Sequence, residues 1–545
     1  MANGRMMDFP LTLTHIFERA RRYFPRGEIV SRLGDGSIHR TNYGEFAKRT
    51  LLLASALQKL GIRTGDRVAT LSWNHHRHLE VYFAAPCMGA TLHTLNLRLH
   101  PDEIGFIARH AEDKVVIVDE TLLPLFEKFR AQIPSLRHVI VMRDKPYDKS
   151  QDGKTADLDY EELLQTGDPK FEFVDLDENQ EGALCYTSGT TGNPKGVLYS
   201  QRSLTLHTMS TCLVDSLGLR EDDVCLPVVP MFHANAWGLP YGCVATGAKL
   251  VFPGPKLDAQ SLLELMSDEK VTVAGGVPTI WLGILDLLDS DPKKYDLSSI
   301  RTMVIGGSAA PAAMIDGFKK RHGIDITHAW GMTEMSPLGT ICRLKHSLRD
   351  LSDAAKLEVK ASQGYAALFV ETRHTGDDGQ ILPWDASTMG ELEVRGPWVA
   401  SSYVGDEGKD RWTKDGWFKT GDVVTIDPEG YVRITDRSKD VIKSGGEWIS
   451  SVALENALMG HPAVLEAAVF AARHEKWDER PVAAIVVKKG QTVTKEALKA
   501  HLEKSVAKIW LPDDYVFVEQ VPRTSTGKFL KSKLRADYGD ILLKK

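Results

Sequence analysis

No C-x-x-C pair and no neighbouring His cluster accompanies the six cysteines, Cys87, Cys185, Cys212, Cys225, Cys243 and Cys342. That pattern fits reduced core thiols better than disulfides or zinc, and reduced thiols are expected. An uninterrupted apolar run of bilayer length is also missing, because the richest stretch, VCLPVVPMFHANAWGLPYGCVATGAKLVF, is broken by Pro, Gly, His and Asn. The start, MANGRMMDFPLTLTHIFERARRYF, lacks the sustained apolar core and small-residue cleavage site of a signal peptide. The final LLKK is not an S-K-L peroxisomal address. Positive charge is not in excess: the net charge is -6 and the pI near 6.3, so nucleic acid is not an expected partner. These absences together predict a soluble, cytoplasmic protein without a transmembrane segment. A G-x-S-x-G nucleophile elbow is absent too, which argues against a hydrolase.

What is present is an ordinary globular composition, 43% apolar and 26% charged, in 545 residues, a length that calls for at least two domains. From about residue 12 to 290, strand-like runs such as VVIVDE and HVIVMR alternate with helical spacing such as YGEFAKRTLLLASALQKLG. That alternation predicts parallel βαβ units. One segment shows it compactly: strand 302 to 305, a Gly306-Gly307 turn, Pro311 near a helix start, Gly323 as its stop, and strand 324 to 328. The following loop, 329 to 334, then lies at a strand's carboxyl end, where open parallel sheets bind ligands. After residue 375 short strands and tight turns predict a small β lobe. A compact mixed tail follows Asp436, with helices expected at 451 to 459 and 495 to 508. The predicted fold is α/β: a large N-terminal domain of doubly wound sheets plus the β lobe, 1 to 435, and a small mobile α+β C-terminal domain, 436 to 545.

The stretch LCYTSGTTGNPKGVLYS, 184 to 200, crowds hydroxyls and glycines ahead of one lysine. Glycines let backbone amides approach phosphate oxygens, and Ser and Thr add donors. A Walker loop would need G-x-x-x-x-G-K-[ST], whereas Lys195 follows Pro194 and precedes Gly196. The loop reads as a phosphate cradle of another kind. YTSGTTGNPKG resembles the signature of adenylate-forming enzymes, which include acyl-CoA synthetases, firefly-type luciferases and the adenylation domains of nonribosomal peptide synthesis. PMFHANAWG (230 to 238), GGSAAP (306 to 311), WGMTE (330 to 334), TGD (420 to 422), DRSKDVIKSGGEWIS (436 to 450) and PRTSTGK (522 to 528) follow in that family's order. Within it, IKSGGEWISS, ARHEKWDERP and PVVPMFHANAWG most resemble bacterial medium- and long-chain fatty-acyl-CoA synthetases, with wording shared by enzymes that activate methylthiopropionate.

The resemblance implies ATP, Mg²⁺ and coenzyme A as cofactor and co-substrates, a small carboxylic acid as substrate, a homodimer, and peripheral membrane access for a fatty acid. It places Thr187 and Glu334 on the metal and phosphates, Ser188, Thr190 and Gly192 in the cradle, and Lys195 as an auxiliary contact. Gly307, Ser308 and Ala309 with His328, Ala329 and Trp330 would wall the adenine, Trp330 stacking on it, with Thr333 close to the nucleotide. Asp422 would accept from both ribose hydroxyls, and Arg437 would reach ribose or phosphate. Asp436 would be the hinge, and Lys439 and Lys443 would approach the nucleotide. Lys528 would bring a point charge to the first chemical step. His233 and Trp237 would border the acyl pocket, and Gly445, Gly446 and Trp448 would line the pantetheine channel. Ala234 and SQGYAALF (362 to 369) depart from the family pattern, which bears on pocket shape and acyl length. Alternatives from the same residues are a luciferase-like oxygenase, an amino-acid adenylation domain, and a catalytically silent nucleotide-binding regulator.

Overall fold

The computed structural model describes residues 4–145, 157–187, 194–444, 447–524 and 528–543. Two large sheets organise the body. In one, the strands Arg67–Leu71, Thr91–Thr94, Val115–Asp119, His138–Met142 and Glu181–Tyr186 run parallel, and Gly196–Ser200 closes the edge antiparallel to the last of them. In the other, Lys249–Phe252, Val224–Pro227, Val273–Gly276, Thr302–Ile305 and Ile326–Gly331 are parallel neighbours in that order. The near-continuous apolar runs noted in the sequence are these strands: all five residues of Val115–Asp119 are buried, as a parallel sheet covered on both faces requires.

The helix His76–Cys87 is buried along its whole length and touches strands of both sheets. A helix enclosed on every side needs its polar groups paired. His75, just before it, meets Asp119 at 2.7 Å, and Glu80 within it meets Arg49 at 2.7 Å. The helix Ala312–His322 starts after Pro311 and ends at Gly323, whose φ of +71° is the left-handed stop that glycine supplies.

The β lobe is a four-stranded antiparallel sheet, Glu371–Thr375, Gly390–Arg395, Phe418–Ile426 and Val432–Arg437. Beyond it the tail folds Val464–His474, Asp478–Val487 and Asp514–Phe517, with two short strands, against the helices Ser451–Met459, Lys495–Leu502 and Lys531–Tyr538. Its buried apolar side chains form two clusters of their own that include no residue before Ile442. Among the described residues no helix is long and apolar enough to cross a membrane.

Two expectations need correction. Residues 329 to 331 are strand, not loop, because Ala329 and Trp330 pair with Ile341 and Thr340 of an added antiparallel strand, Leu338–Ile341. The helix expected over 495 to 508 stops at Leu502. The chain there must turn to bring Asp514–Phe517 into parallel pairing with Asp478–Val487.

Candidate active site

The carboxyl ends of the parallel strands, the β lobe and the tail meet around two chambers of about 180 and 200 Å³, which Trp330, Arg437 and Lys528 face in common. Thr187 and Lys195 stand where the strand Glu181–Tyr186 ends and its antiparallel neighbour begins. The Thr187 N–H donates to the Lys195 carbonyl at 2.9 Å, and the Lys195 N–H donates back to the Thr187 hydroxyl at 3.1 Å. The hairpin thus holds both ends of the hydroxyl-rich loop at the cavity wall. Ser188, Thr190 and Gly192 lie outside the described residues. The Lys195 ammonium sits 5.1 Å above the ring of Tyr403, a cation–π contact that fixes it beside the first chamber.

Glu334, 6% exposed, follows the strand Ile326–Gly331 and lines the first chamber with Thr333. The Tyr403 hydroxyl donates to its Oε1 at 2.6 Å, and its backbone carbonyl accepts from Ala400 at 2.8 Å. A carboxylate so oriented, with the Thr187 hydroxyl on the same wall, is a set of hard oxygen donors that fits Mg²⁺.

Gly307, Ser308, Ala309, His328 and Ala329 line the second chamber. Gly307 takes φ +84°, a value that only glycine adopts without strain. His328 is buried, its pKa pushed down to about 4 by burial, while nearby carbonyls including that of Ala361 act against the fall. Trp330 carries more than a flat face: its Nε1–H donates to Asp422 Oδ2 at 2.9 Å. Asp422 also faces Arg437, whose Nε is 3.2 Å from Oδ1. Lys439 lines the second chamber, whereas Lys443 is exposed on the strand Ile442–Ser444 and lines neither. Gly445 and Gly446, and the side chain of Trp448, are outside the described residues.

Lys528 enters from the tail. Burial pushes its pKa down to about 8, Arg437 and Lys439 in the same direction, with Asp422 and Glu334 opposing. His233 shares the first chamber, and burial, Lys528 and Arg98 push its pKa down to about 4, so the imidazole is neutral near pH 7.

The first chamber continues among Thr211, Leu217, Trp237, Val304 and Leu338. Trp237 is placed by an unusual turn: Ala234, Asn235, Ala236 and Trp237 all have φ between +41° and +58°. Each such residue costs roughly 1–2 kcal/mol, so tertiary bonds must impose the turn. Cys185 Sγ–H donates to Asn235 Oδ1 at 2.9 Å and the Ala236 N–H donates to the His233 carbonyl. The indole then lies against Gly306, where an added Cβ would come within 3.2 Å of the ring. Strain of this kind collects at functional sites.

Sequence reasoning missed Tyr403 and Arg411, which also line the first chamber, and gave no role to Thr420 of TGD or Thr524 of PRTSTGK, which line it too. Tyr403 had only its aromatic character in SSYVGD as a signal.

Glu334, Asp422, the half-buried Lys528 and the ring of Trp330 thus converge on two adjoining chambers, the first of which runs on beside Trp237. Two family models match the chain, the AMP-binding enzyme over residues 17–404 and the AMP-binding enzyme C-terminal domain over 453–528. A long-chain-fatty-acid–CoA ligase of Thermus thermophilus is 50% identical over 98% of this chain and 96% of its own. A 3-methylmercaptopropionyl-CoA ligase of Ruegeria lacuscaerulensis is 46% identical over 99% of both. Among solved structures, an anthranilate CoA ligase in complex with anthranoyl-AMP superposes with a TM-score of 0.87 at 26% identity, over 99% of both chains. The chain belongs to the AMP-binding enzyme family.

Proposed function

We propose that the protein is an ATP-dependent, AMP-forming CoA ligase acting on a medium- or long-chain fatty acid. The observation that carries this reading is the meeting of Glu334, Thr187, Asp422, Arg437 and Lys528 at chambers that run on into the apolar pocket beside Trp237. We draw the domain boundary between residues 435 and 436, within the β lobe's last strand, Val432–Arg437, two residues before that strand ends.

A carboxylate is a poor electrophile, because attack by a thiol would have to expel oxide. Exchange of that oxygen for AMP removes the difficulty: the acid attacks the α-phosphate of ATP, pyrophosphate leaves, and the CoA thiol then displaces AMP. Negative charge grows on phosphate oxygens in the first step, and Lys528 is the cation placed to meet it. Glu334 and Thr187 are the residues that would hold Mg²⁺, which when bound neutralises phosphate charge. Asp422 offers its carboxylate to the ribose hydroxyls, Arg437 a donor beside it, and Trp330 its face to the adenine. The neutral His233 and Trp237 enclose the acid's reacting end.

Pyrophosphate release measured across acids from acetate to stearate, with methylthiopropionate and aryl acids included, tests the reading. The strongest response is expected from medium or long chains. A preference for methylthiopropionate would support instead the second reading that the Ruegeria relative's similarity favours, and silence toward every acid would overturn both.

A pH profile follows from the lysine. Its lowered pKa means that the charged form is present below about pH 8 and is lost above it. The kcat/KM of pyrophosphate release is expected to fall as pH rises through about 8 in the free enzyme. Lys528→Arg, which cannot lose its proton, should remove that alkaline limb whatever its absolute rate.

A further inference from the structure

Lys528 stands three residues before the helix Lys531–Tyr538, so where that helix begins decides where the ammonium lies. The start is fixed by a second lysine. Lys531, 8% exposed, places its Nζ 2.8 Å from Glu455 Oε1 and donates to the Ser451 hydroxyl. Ser451 in turn gives its N–H to Asp436 Oδ2 at 3.0 Å, and Ser450 gives its hydroxyl to the Thr435 carbonyl at 2.5 Å. Asp436 is buried and pairs with Val423, the neighbour of Asp422. One turn further along the same helix, Arg535 bonds Asp440 Oδ1 at 2.6 Å. Two cations four residues apart thus tie one helix to the segment 436 to 440, next to the Asp422–Arg437 pair.

Stability does not account for this arrangement. A cation in the first turn of a helix opposes the helix dipole. A buried ion pair is commonly no more stable than well-packed apolar residues of the same volume. Burial also pushes the Glu455 pKa up to about 7, with Lys531 and the Val469 N–H acting against it, whereas Glu455 and Asp436 hold the Lys531 pKa up against its own burial, so the carboxylate bears the cost of desolvation and the ammonium stays charged. What an apolar residue could not do is donate to the Ser451 hydroxyl and set a positive charge close to Asp436, which the Ser451 N–H already holds.

We propose that Lys531 is a positioning residue for Lys528: through Ser451 and Asp436 it registers the tail against the body and seats the Lys528 ammonium between Glu334 and Asp422. The inference rests on the proposed function, since it assigns Lys531 to the step that Lys528 serves. That step is acid activation, which brings a carboxylate anion onto the polyanionic phosphates of ATP; the thiol step, in which AMP leaves a singly charged adenylate, makes a smaller demand on a cation there.

Lys531→Met, Lys531→Arg and the double variant Lys531→Met/Glu455→Gln are compared in two assays: acid-dependent exchange of pyrophosphate into ATP, and CoA-dependent consumption of supplied acyl-adenylate. The double variant leaves no buried unpaired carboxylate, so it remains informative if Lys531→Met does not fold. Exchange is expected to fall about 10²-fold in the Met variants, the cost of misplacing a reacting group by an ångström or so. Consumption of the adenylate should stay within about threefold, and Lys531→Arg should recover most of the exchange. Equal losses in both assays, or none in either, would overturn the proposal while leaving the enzyme's function standing. A wild-type protein without exchange toward any acid would remove the functional reading, and this inference with it.

Discussion

Lys528→Ala is expected to lower acyl-adenylate formation by about 10²–10³-fold, the loss typical when one preorganised charge or donor is removed from a developing anion. The effect is large because the ammonium is desolvated in the cavity, where its charge is screened less than at a surface. Among the described residues, the other cations lining the first chamber are engaged elsewhere, Arg411 with the Lys419 carbonyl at 2.8 and 2.6 Å. Lys195 is committed to the ring of Tyr403. Lys439 shares the second chamber with Lys528 but not the first. Arg437 is held against Asp422. Folding should be almost unaffected, because Lys528 is half-buried at the end of a loop closed by backbone bonds, Thr524 N–H to the Lys528 carbonyl at 2.8 Å among them. The measurement is single-turnover adenylate formation with a fatty acid, beside a thermal unfolding midpoint. An alanine variant that forms adenylate at the wild-type rate would remove Lys528 from the mechanism.

Much of this site is legible in the sequence because its parts are local. The strand 302 to 305, the Gly306-Gly307 turn and the helix between Pro311 and Gly323 each carry their own signal, and each stands where it was expected. Thr187 and Lys195, the two ends of the stretch read as a phosphate cradle, lie on the wall of the first chamber. What could not be read depends on contacts distant along the chain. The strand character of Ala329 to Gly331 comes from pairing with Leu338–Ile341. Tyr403 reaches Glu334 across 69 residues, and nothing in SSYVGD announces it. The left-handed turn through Ala234 and Trp237 is the sharpest case: ANAWG holds a single glycine, and the positive φ values are imposed by Cys185 and other tertiary partners. Trp330 in WGMTE implied an aromatic face, but its N–H bond to Asp422 appears only once the β lobe is folded against the sheet.

That bond makes Asp422→Ala the second variant with a large expected effect. Asp422 is 3% exposed, and its two oxygens are divided between Trp330 Nε1–H and Arg437 Nε. Removal of the carboxylate deletes the proposed ribose acceptor and leaves a guanidinium and an indole N–H without their partner. Hydrogen bonds to a charged acceptor are worth about 1.5–3 kcal/mol, so loss of the carboxylate that the ribose hydroxyls would meet is expected to raise the KM for ATP by about 10²-fold. Asp422→Asn, which keeps one acceptor and nearly the same volume, should fall between the wild type and alanine. A second consequence separates this role from simple loss of packing. Asp422 opposes the fall in the Lys528 pKa, so without it the ammonium is lost at lower pH, and the alkaline limb of the rate profile should move down from about 8. Arg437, freed from its carboxylate, would press the lysine further in the same direction. Initial rates at varied ATP and pH check both results together. An unchanged KM for ATP with an unmoved alkaline limb would show that Asp422 serves the β lobe's packing alone, whereas a raised KM with a shifted limb ties the ribose acceptor and the tail's lysine into one electrostatic unit.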